Sequence, residues 1–308
     1  MSIILKVRPQ ECGLTWKQFC KASEPFSVAL DGYVVGGPKY QESGPRKNFN
    51  HHEDVDRLAT RSTCGQVLMA IRQGFFDTFR DENDVHQANV YVNDCDEDVC
   101  LSWFLLKHGN LTEHVTNPAL NKLVEYEDAL DATAGAYPYP PKTSTLEQMS
   151  WIFAPYQTFR LSGELDKKEE DSYRGVIEDV ERRIMSYLGG TGGKKKLDTR
   201  YNVLGGGKRW SMIQEVGTQA KTGAFADGIK AYVSVRERPD GKWTYSVGRM
   251  SPFINFNIYK IFSNLNIWED CRKDKWGGGD VIGGSPRVSG SSIPPKELEL
   301  LINEVIEA

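Results

Sequence analysis

The feature that most constrains the fold of this chain is an apolar strand segment that leads through an acidic turn into an apolar helix segment. Residues 89–92 (NVYV) predict a short buried strand, and residues 101–106 (LSWFLL) predict a buried helix. The turn between them, residues 93–98, has the sequence NDCDED. Strand–turn–helix units favour an α/β fold with a parallel sheet, and ligands bind such sheets beyond the carboxyl ends of the strands.

A change in sequence character after residue 188 predicts a domain boundary. The glycine- and lysine-rich segment 189–196 has the composition of a linker. After it, residues 229–236 and 243–247 alternate like strands, and residues 295–306 have the apolar spacing of a helix. We therefore predict a parallel-sheet α/β domain over residues 1–188, including a connecting helix, and a smaller α/β domain over residues 189–308.

The composition excludes several classes of protein. The chain has 13 Phe, 13 Tyr and 7 Trp among 308 residues, which is incompatible with wholesale disorder. Its apolar runs stay below the roughly 18 residues of a membrane span. The six cysteines form no CxxC pair, which predicts reduced thiols and a cytoplasmic location.

Charge is distributed unevenly along the chain. Residues 1–190 carry a net charge of −9 and residues 191–308 a net charge of +5. An acidic half suits divalent cations and a basic half suits a phosphorylated ligand, although ordinary surface variation fits the same numbers.

Adjacent histidines form the strongest local motif. His51 and His52 lie in the segment NHHED at residues 50–54. One imidazole can ligate a metal ion while its neighbour faces a substrate. A solvated pair on a loop is the alternative interpretation.

Aspartates alternate in the acidic turn at Asp94, Asp96 and Asp98. Carboxylates at a helix N-terminus complement the helix dipole, and they also bind hard cations such as Mg²⁺ or Mn²⁺. Capping uses one or two carboxylates, so three at alternate positions favour a cation. An EF-hand is excluded because the required glycine and distal glutamate do not follow.

Two other acidic positions are candidates for the same site. Asp128 and Asp131 are three residues apart and share a helix face, which is either a solvated acidic face or part of a ligand set. Asp31 ends an apolar strand segment 20 residues before His51.

Together these motifs resemble the DHH phosphoesterase superfamily, which includes RecJ-type exonucleases, oligoribonucleases, cyclic-dinucleotide phosphodiesterases and family II pyrophosphatases. Residues 49–52 (FNHH), followed by ATRST at 59–63 and an apolar helix, resemble the segment that gives the family its name. Residues 96–102 (DEDVCLS) resemble its Asp-x-Asp loop, and Asp31 lies where the family places a carboxylate ligand.

The carboxyl-terminal part resembles the substrate domain associated with that family. The similarity lies in residues 245–249 (YSVGR) and 277–285 (GGGDVIGGS). In that domain Trp276 would stack on a base and Arg287 would bind a phosphate. The implied substrate-binding residues are Arg249, Trp276, Gly277, Gly278, Gly279 and Arg287.

The resemblance implies hydrolysis of a phosphoester or phosphodiester by metal-activated water. It implies two Mn²⁺ or Mg²⁺ ions per chain, which in such sites lie about 3.5–4 Å apart. The implied metal ligands are Asp31, His51, Asp96, Asp98 and one or both of Asp128 and Asp131. As catalytic residues, His52 would contact the scissile phosphate and Arg61 would clamp it, unless Arg61 is an ordinary surface residue. The expected substrate is a short single-stranded oligonucleotide, a dinucleotide or another small phosphorylated compound, and no membrane partner is expected.

The sequence departs from the family pattern at specific positions. Asn50 replaces the aspartate of the name motif, and Val92 and Asp280 lie where many members have histidine. The Asp-x-Asp segment follows the histidine pair instead of preceding it, so it represents either a circular permutation or the family's later aspartate motif. These departures motivate an alternative function, a DHH-like protein that binds nucleotides or nucleic acid without hydrolysing them. Metal content separates the two hypotheses.

Overall fold

The structure is a computed structural model that describes residues 2–11, 13–113 and 117–307. The chain forms two compact units. The first unit contains Met1–Ala132 and Ser144–Lys195, and the second contains Thr133–Thr143 and Lys196–Ala308.

The sheet of the first unit is mostly parallel. The strands of this unit are β1 (Ser2–Val7), β2 (Leu14–Thr15), β3 (Ser27–Leu30), β4 (Val34–Val35), β5 (Lys39–Gln41), β6 (Arg46–Phe49) and β7 (Gln87–Val92). Strands β1, β7, β3, β6 and β5 form one sheet in that spatial order, and β2 pairs separately with β4. All pairings in the larger sheet are parallel except that of β5 with β6. The predicted α/β class with a parallel sheet is confirmed.

Helices surround this sheet, and one of them is buried along nearly its whole length. The α-helices of the unit are α1 (Trp16–Ala22), α2 (Thr63–Arg72), α3 (Phe75–Thr78), α4 (Glu97–Lys107), α5 (Pro118–Ala132), α6 (Ser144–Ile152), α7 (Ala154–Leu161) and α8 (Glu170–Leu188), with 3₁₀ turns at Gly109–Leu111 and Glu164–Lys167. Helix α4 packs against α2, α5 and α8, which explains why its sequence is apolar on every side. Among the described residues, no helix combines the length and the apolar character needed to cross a bilayer.

The segment predicted to be a linker is held against the first unit. Lys195 donates its backbone N–H to the carbonyl of Glu147 at 2.9 Å. A Cβ atom on Gly193 would lie 2.7 Å from Nε1 of Trp151, so only glycine allows this approach. The second unit resumes at Lys196, whereas the predicted boundary follows residue 188, and residues 133–143 of the predicted first domain also belong to the second unit.

The second unit contains a mixed sheet. Its strands are β8 (Tyr201–Gly207), β9 (Trp210–Glu215), β10 (Ala231–Glu237), β11 (Trp243–Arg249), β12 (Gly277–Gly278) and β13 (Ile282–Gly284). They lie in the order β12-β13-β11-β10-β9-β8, with β9 and β10 parallel. The helices are α9 (Ala220–Ala226), α10 (Ile258–Trp268) and α11 (Pro295–Glu307). The last helix and the β10–β11 hairpin agree with the sequence pattern.

Candidate metal centre

Three adjacent strand ends carry the titratable side chains of the candidate site. Asp31 directly follows β3, His51 and His52 follow β6, and the acidic turn follows β7. Because β3 pairs with both β6 and β7 in parallel, these ends meet at one edge of the sheet. Asp31 has a φ of +46°, so the chain turns sharply there, and its N–H donates to the carbonyl of Phe49 at 2.9 Å.

His51 is the centre of a cluster of carboxylates. Its Nε2 atom lies 2.6 Å from Oδ2 of Asp131, 3.5 Å from Oδ1 of Asp31 and 3.8 Å from Oδ2 of Asp98. His52 Nε2 lies 3.0 Å from the same Oδ1 of Asp31. Two overlapping groups of possible metal ligands result, one of Asp31, His51 and His52 and one of His51, Asp98 and Asp131.

Several of these buried atoms have no hydrogen-bond partner among the described residues. These atoms are the two ring nitrogens of His51 and Oδ2 of Asp131. Nε2 of His51 and Oδ2 of Asp131 lie close together, but their orientation does not meet hydrogen-bond geometry. His51 is completely buried. An unsatisfied buried polar atom costs about 1–3 kcal/mol, so such groups are rare without a function. Imidazole nitrogen and carboxylate oxygen atoms that lie this close without hydrogen-bond partners among the described residues form a donor set that a cation can bind.

The electrostatics of the cluster also fit a cation. Burial opposes a charged His51, but Asp131 and Asp31 outweigh it and raise the pKa of this histidine to about 10. Burial raises the pKa of Asp98 to about 8, with further increases from Asp131 and Asp31. For Asp31, burial is outweighed by the two histidines, which hold the pKa of its carboxyl below the usual range. Protons thus compensate the concentrated negative charge, and a divalent cation can replace them.

The first turn of α2 orients two of the carboxylates. Asp98 accepts the N–H of Thr63 at 2.7 Å and the N–H of Cys64 at 2.6 Å, one on each oxygen. The Thr63 hydroxyl donates to Oδ1 of Asp31 at 2.9 Å. The sequence placed Ser62 and Thr63 in the ATRST segment that precedes an apolar helix. Their type and position were visible, but their contact with the aspartates depends on the tertiary fold.

Asp128 anchors the start of α2 and lies outside both groups. Its Oδ1 accepts the N–H of Ser62 at 2.6 Å, and its Oδ2 accepts from Nη1 of Arg61 at 3.0 Å. Arg61 therefore forms an ion pair with Asp128, and its role as a phosphate clamp stays a prediction. Asp128 and Asp131 both lie in α5, and of these two aspartates only Asp131 contributes an atom to a possible ligand group. A Cβ on Gly65 would lie 2.8 Å from the Asp128 carboxyl, so this close packing uses glycine.

Asp96 and Asp94 have local partners. Asp96 is the N-cap of α4 and accepts the N–H of Val99 at 2.9 Å, which is the capping role left open by the sequence. Asp94 accepts the N–H of Cys95 at 2.7 Å. Within the described part of the chain, Asp98 is the one aspartate of this turn that joins a candidate ligand group, and the assignment of Asp96 as a ligand stays a prediction.

Asn50 organises the histidine loop. Its side-chain amide donates to Oε2 of Glu53 at 2.8 Å and to the carbonyl of Gly36 at 3.0 Å, and its Oδ1 accepts the N–H of His52 at 3.1 Å. Arg57, which sequence reasoning did not single out, donates from Nη2 to the backbone carbonyl of Asp131 at 2.8 Å. The loop is thus tied to the strand ends and to the end of α5.

Two of the predicted substrate-binding side chains support the fold of the second unit. Trp276 is only 2% exposed, stacks on Tyr245 and donates from Nε1 to Oε2 of Glu269 at 2.6 Å. The indole is therefore part of the core, which differs from the expected surface for stacking a base. Arg249 donates from Nε to the carbonyl of Asp280 at 2.7 Å and so fixes the loop before β13.

The predicted glycine segment and Arg287 lie at the surface. Gly277 and Gly278 form β12, where a Cβ on Gly278 would lie 2.3 Å from Cα of Gly283. Gly279 donates its N–H to the carbonyl of Ile282 at 2.8 Å. The glycines therefore allow close strand pairing, and Arg287 keeps an exposed side chain.

Comparison of the chain with models of known protein families finds no match, and comparison with curated proteins finds none either. The resemblance to the DHH superfamily therefore stays a prediction. The side chains of the candidate metal centre carry the functional interpretation.

Proposed function

We propose that the chain is a metal-dependent phosphoesterase whose metal centre consists of Asp31, His51, His52, Asp98 and Asp131. The observation that carries this proposal is the state of His51. It is fully buried, both of its ring nitrogens lack a hydrogen-bond partner among the described residues, and it faces carboxylates from three separate elements.

The donor set favours a hard divalent cation. The two groups contain carboxylate oxygen and imidazole nitrogen but no thiolate, which fits Mn²⁺ or Mg²⁺. Because the two groups contain different carboxylates and Oδ1 of Asp31 lies near both histidines, we infer that the centre holds two ions, of which Nε2 of His51 can bind only one. Such ions lower the pKa of a bound water and stabilise the charge that develops on a phosphoryl group.

The side chains then have distinct roles. Asp31 has one oxygen near both histidines, which suits a ligand shared between the ions. Asp98 and Asp131 complete the buried side around His51. The side chain of His52 is 34% exposed, so it is the ligand on the side open to solvent. This assignment makes His52 a metal ligand and replaces the predicted direct contact with the scissile phosphate.

The positive charge of the carboxyl-terminal part supports a class of substrate. Residues 191–308 carry a net charge of +5, and Arg287 presents an exposed guanidinium. These features support a small anionic substrate, namely a short oligonucleotide, a dinucleotide or another phosphorylated compound. A long duplex would demand many more phosphate contacts.

The test compares wild type with His51→Ala and with the control His108→Ala. His108 is also a histidine beside a carboxylate, 3.0 Å from Oε1 of Glu181, but it lies outside the candidate centre. Hydrolysis of bis-p-nitrophenyl phosphate and of a two-nucleotide RNA is measured with Mn²⁺, with Mg²⁺ and with EDTA. We expect metal-dependent turnover in wild type and in the control, and its loss in His51→Ala.

Other results would reject the proposal in different ways. Turnover that persists in EDTA or in His51→Ala would show that the chemistry lies elsewhere. Binding of Mn²⁺ and of the dinucleotide without any turnover would instead establish a protein that binds nucleotides without hydrolysing them.

A further inference from the structure

Thr63 contacts carboxylates that belong to different ligand groups. Its hydroxyl donates to Oδ1 of Asp31 at 2.9 Å, and its backbone N–H donates to Oδ2 of Asp98 at 2.7 Å. Asp31 belongs to the group with His52, whereas Asp98 belongs to the group with Asp131. One fully buried residue therefore connects both groups.

We propose that Thr63 is a positioning residue that fixes the relative placement of the two metal ions; this inference rests on the proposed function. The oxygen that accepts its hydroxyl is the same Oδ1 that faces both His51 and His52. A donor on that oxygen sets the rotation of the Asp31 carboxylate, and donors of this kind orient metal ligands.

The chemistry of threonine suits this position. A hydroxyl donates a hydrogen bond without adding positive charge, whereas Lys or Arg would repel the cation. The residue is the first of α2 after the N-cap Ser62, and a β-branched side chain in a helix has few accessible rotamers. The direction of the hydroxyl is therefore set by the backbone of α2, which also holds Asp98.

The test uses Thr63→Val, which removes the hydroxyl, keeps the shape and keeps the backbone N–H that binds Asp98. The matched control is Thr112→Val, because Thr112 is also buried in the first unit and its hydroxyl donates to the carbonyl of Gly109 at 2.9 Å. The readouts are Mn²⁺ binding by calorimetry, the Mn²⁺ electron paramagnetic resonance spectrum, and kcat and KM separately.

We expect Thr63→Val to weaken binding of one of the two ions by about tenfold or more, as is typical when a residue that orients a ligand is removed. The spectrum should lose its coupled two-ion signal, and kcat should fall more than KM rises. Thr63→Ser, which restores the hydroxyl, should recover Mn²⁺ binding, and Thr112→Val should bind as wild type does. Thr63→Ala removes the same hydroxyl with a smaller side chain and carries the same expectation if the valine variant does not fold.

The possible failures are distinguishable. Equal Mn²⁺ binding and equal spectra in Thr63→Val and Thr112→Val overturn this inference and leave the metal centre in place. A wild-type protein that binds no Mn²⁺ overturns the proposed function and this inference with it.

Discussion

Two regions of the molecule contain clustered carboxylates, and the two clusters differ in how far protein donors satisfy the carboxylate oxygens. In the second unit, Glu269 accepts from the indole of Trp276, from the hydroxyls of Ser291 and Ser292 and from the N–H of Ser292. Asp274 likewise accepts backbone N–H groups from the loop that follows β13. These carboxylates are fully used in holding a loop.

Around His51 the carboxylates are satisfied only in part, because Asp98 and Asp31 accept hydrogen bonds from the first turn of α2 while one oxygen of Asp131 accepts none from the described part of the chain. Oδ2 of Asp131 and both nitrogens of His51 lack hydrogen-bond partners among the described residues. The comparison teaches that the number of acidic residues does not identify a functional site. A candidate site is better indicated by unpaired buried nitrogen and carboxylate oxygen atoms that lie close together, because each of them carries a free-energy cost.

The largest effect is expected from neighbouring aspartates of α5. Asp131→Asn should lower metal-dependent turnover by at least about 100-fold, because bound metal contributes several kcal/mol to stabilising charge in the reaction. Asp128→Asn should cause a much smaller loss, since an amide oxygen can still accept from the N–H of Ser62 and no ligand atom is removed. Equal losses in both variants would break the distinction between ligand and anchor. Kinetic assays with saturating Mn²⁺ measure the turnover of both variants.

An intermediate effect is expected from pH. In the metal-free protein the pKa of His51 is raised to about 10 and that of Asp98 to about 8, so both hold protons at neutral pH that a cation displaces. Mn²⁺ affinity should therefore rise with pH below these values, by up to about tenfold per pH unit for each proton released. Calorimetric titrations at several pH values, in buffers of different ionisation enthalpy, give both the affinity and the number of protons. An affinity independent of pH would contradict the assignment.

The smallest effect is expected in the second unit. Glu269→Gln keeps the shape but weakens charge-assisted bonds to Trp276 and Ser292, which should reduce the free energy of unfolding by about 1 kcal/mol. Mn²⁺ affinity should not change. Urea unfolding and Mn²⁺ titration are compared with Glu304→Gln, which replaces an exposed glutamate of α11. A loss of Mn²⁺ binding in Glu269→Gln would contradict the view that Glu269 only holds a loop and that the metal ligands lie around His51.

The parallel sheet was predictable because its signals are local. Apolar strand segments end at Asp31 and at residue 92, and the second is followed directly by a helix pattern. Such segments predict carboxylates at the ends of parallel strands. The same reasoning found Asp98 in the turn after residue 92, whereas His51 was found from the motif of adjacent histidines, and strand β6 before it was not predicted.

Other assignments depend on tertiary contacts that spacing does not encode. Asp128 and Asp131 share a helix face, and only the packing of α2 on α5 separates anchor from ligand. Trp276 beside three glycines resembles a binding loop, yet its indole packs in the core against Tyr245. Thr63 is an ordinary helix start in the sequence, and its hydroxyl gains significance only from the position of β3.

The left-handed turn at Asp31 has a consequence for the evolution of stability. Residues other than glycine cost roughly 1–2 kcal/mol in this conformation, although aspartate tolerates it better than most. Asp31 has a φ of +46° and Gly32 one of +80°, so a second glycine would relieve the backbone at the first position. Asp31→Gly would thus relieve the backbone but remove the carboxylate that accepts from Thr63 and faces both histidines, so conformational ease and side-chain contacts oppose each other at this sheet edge.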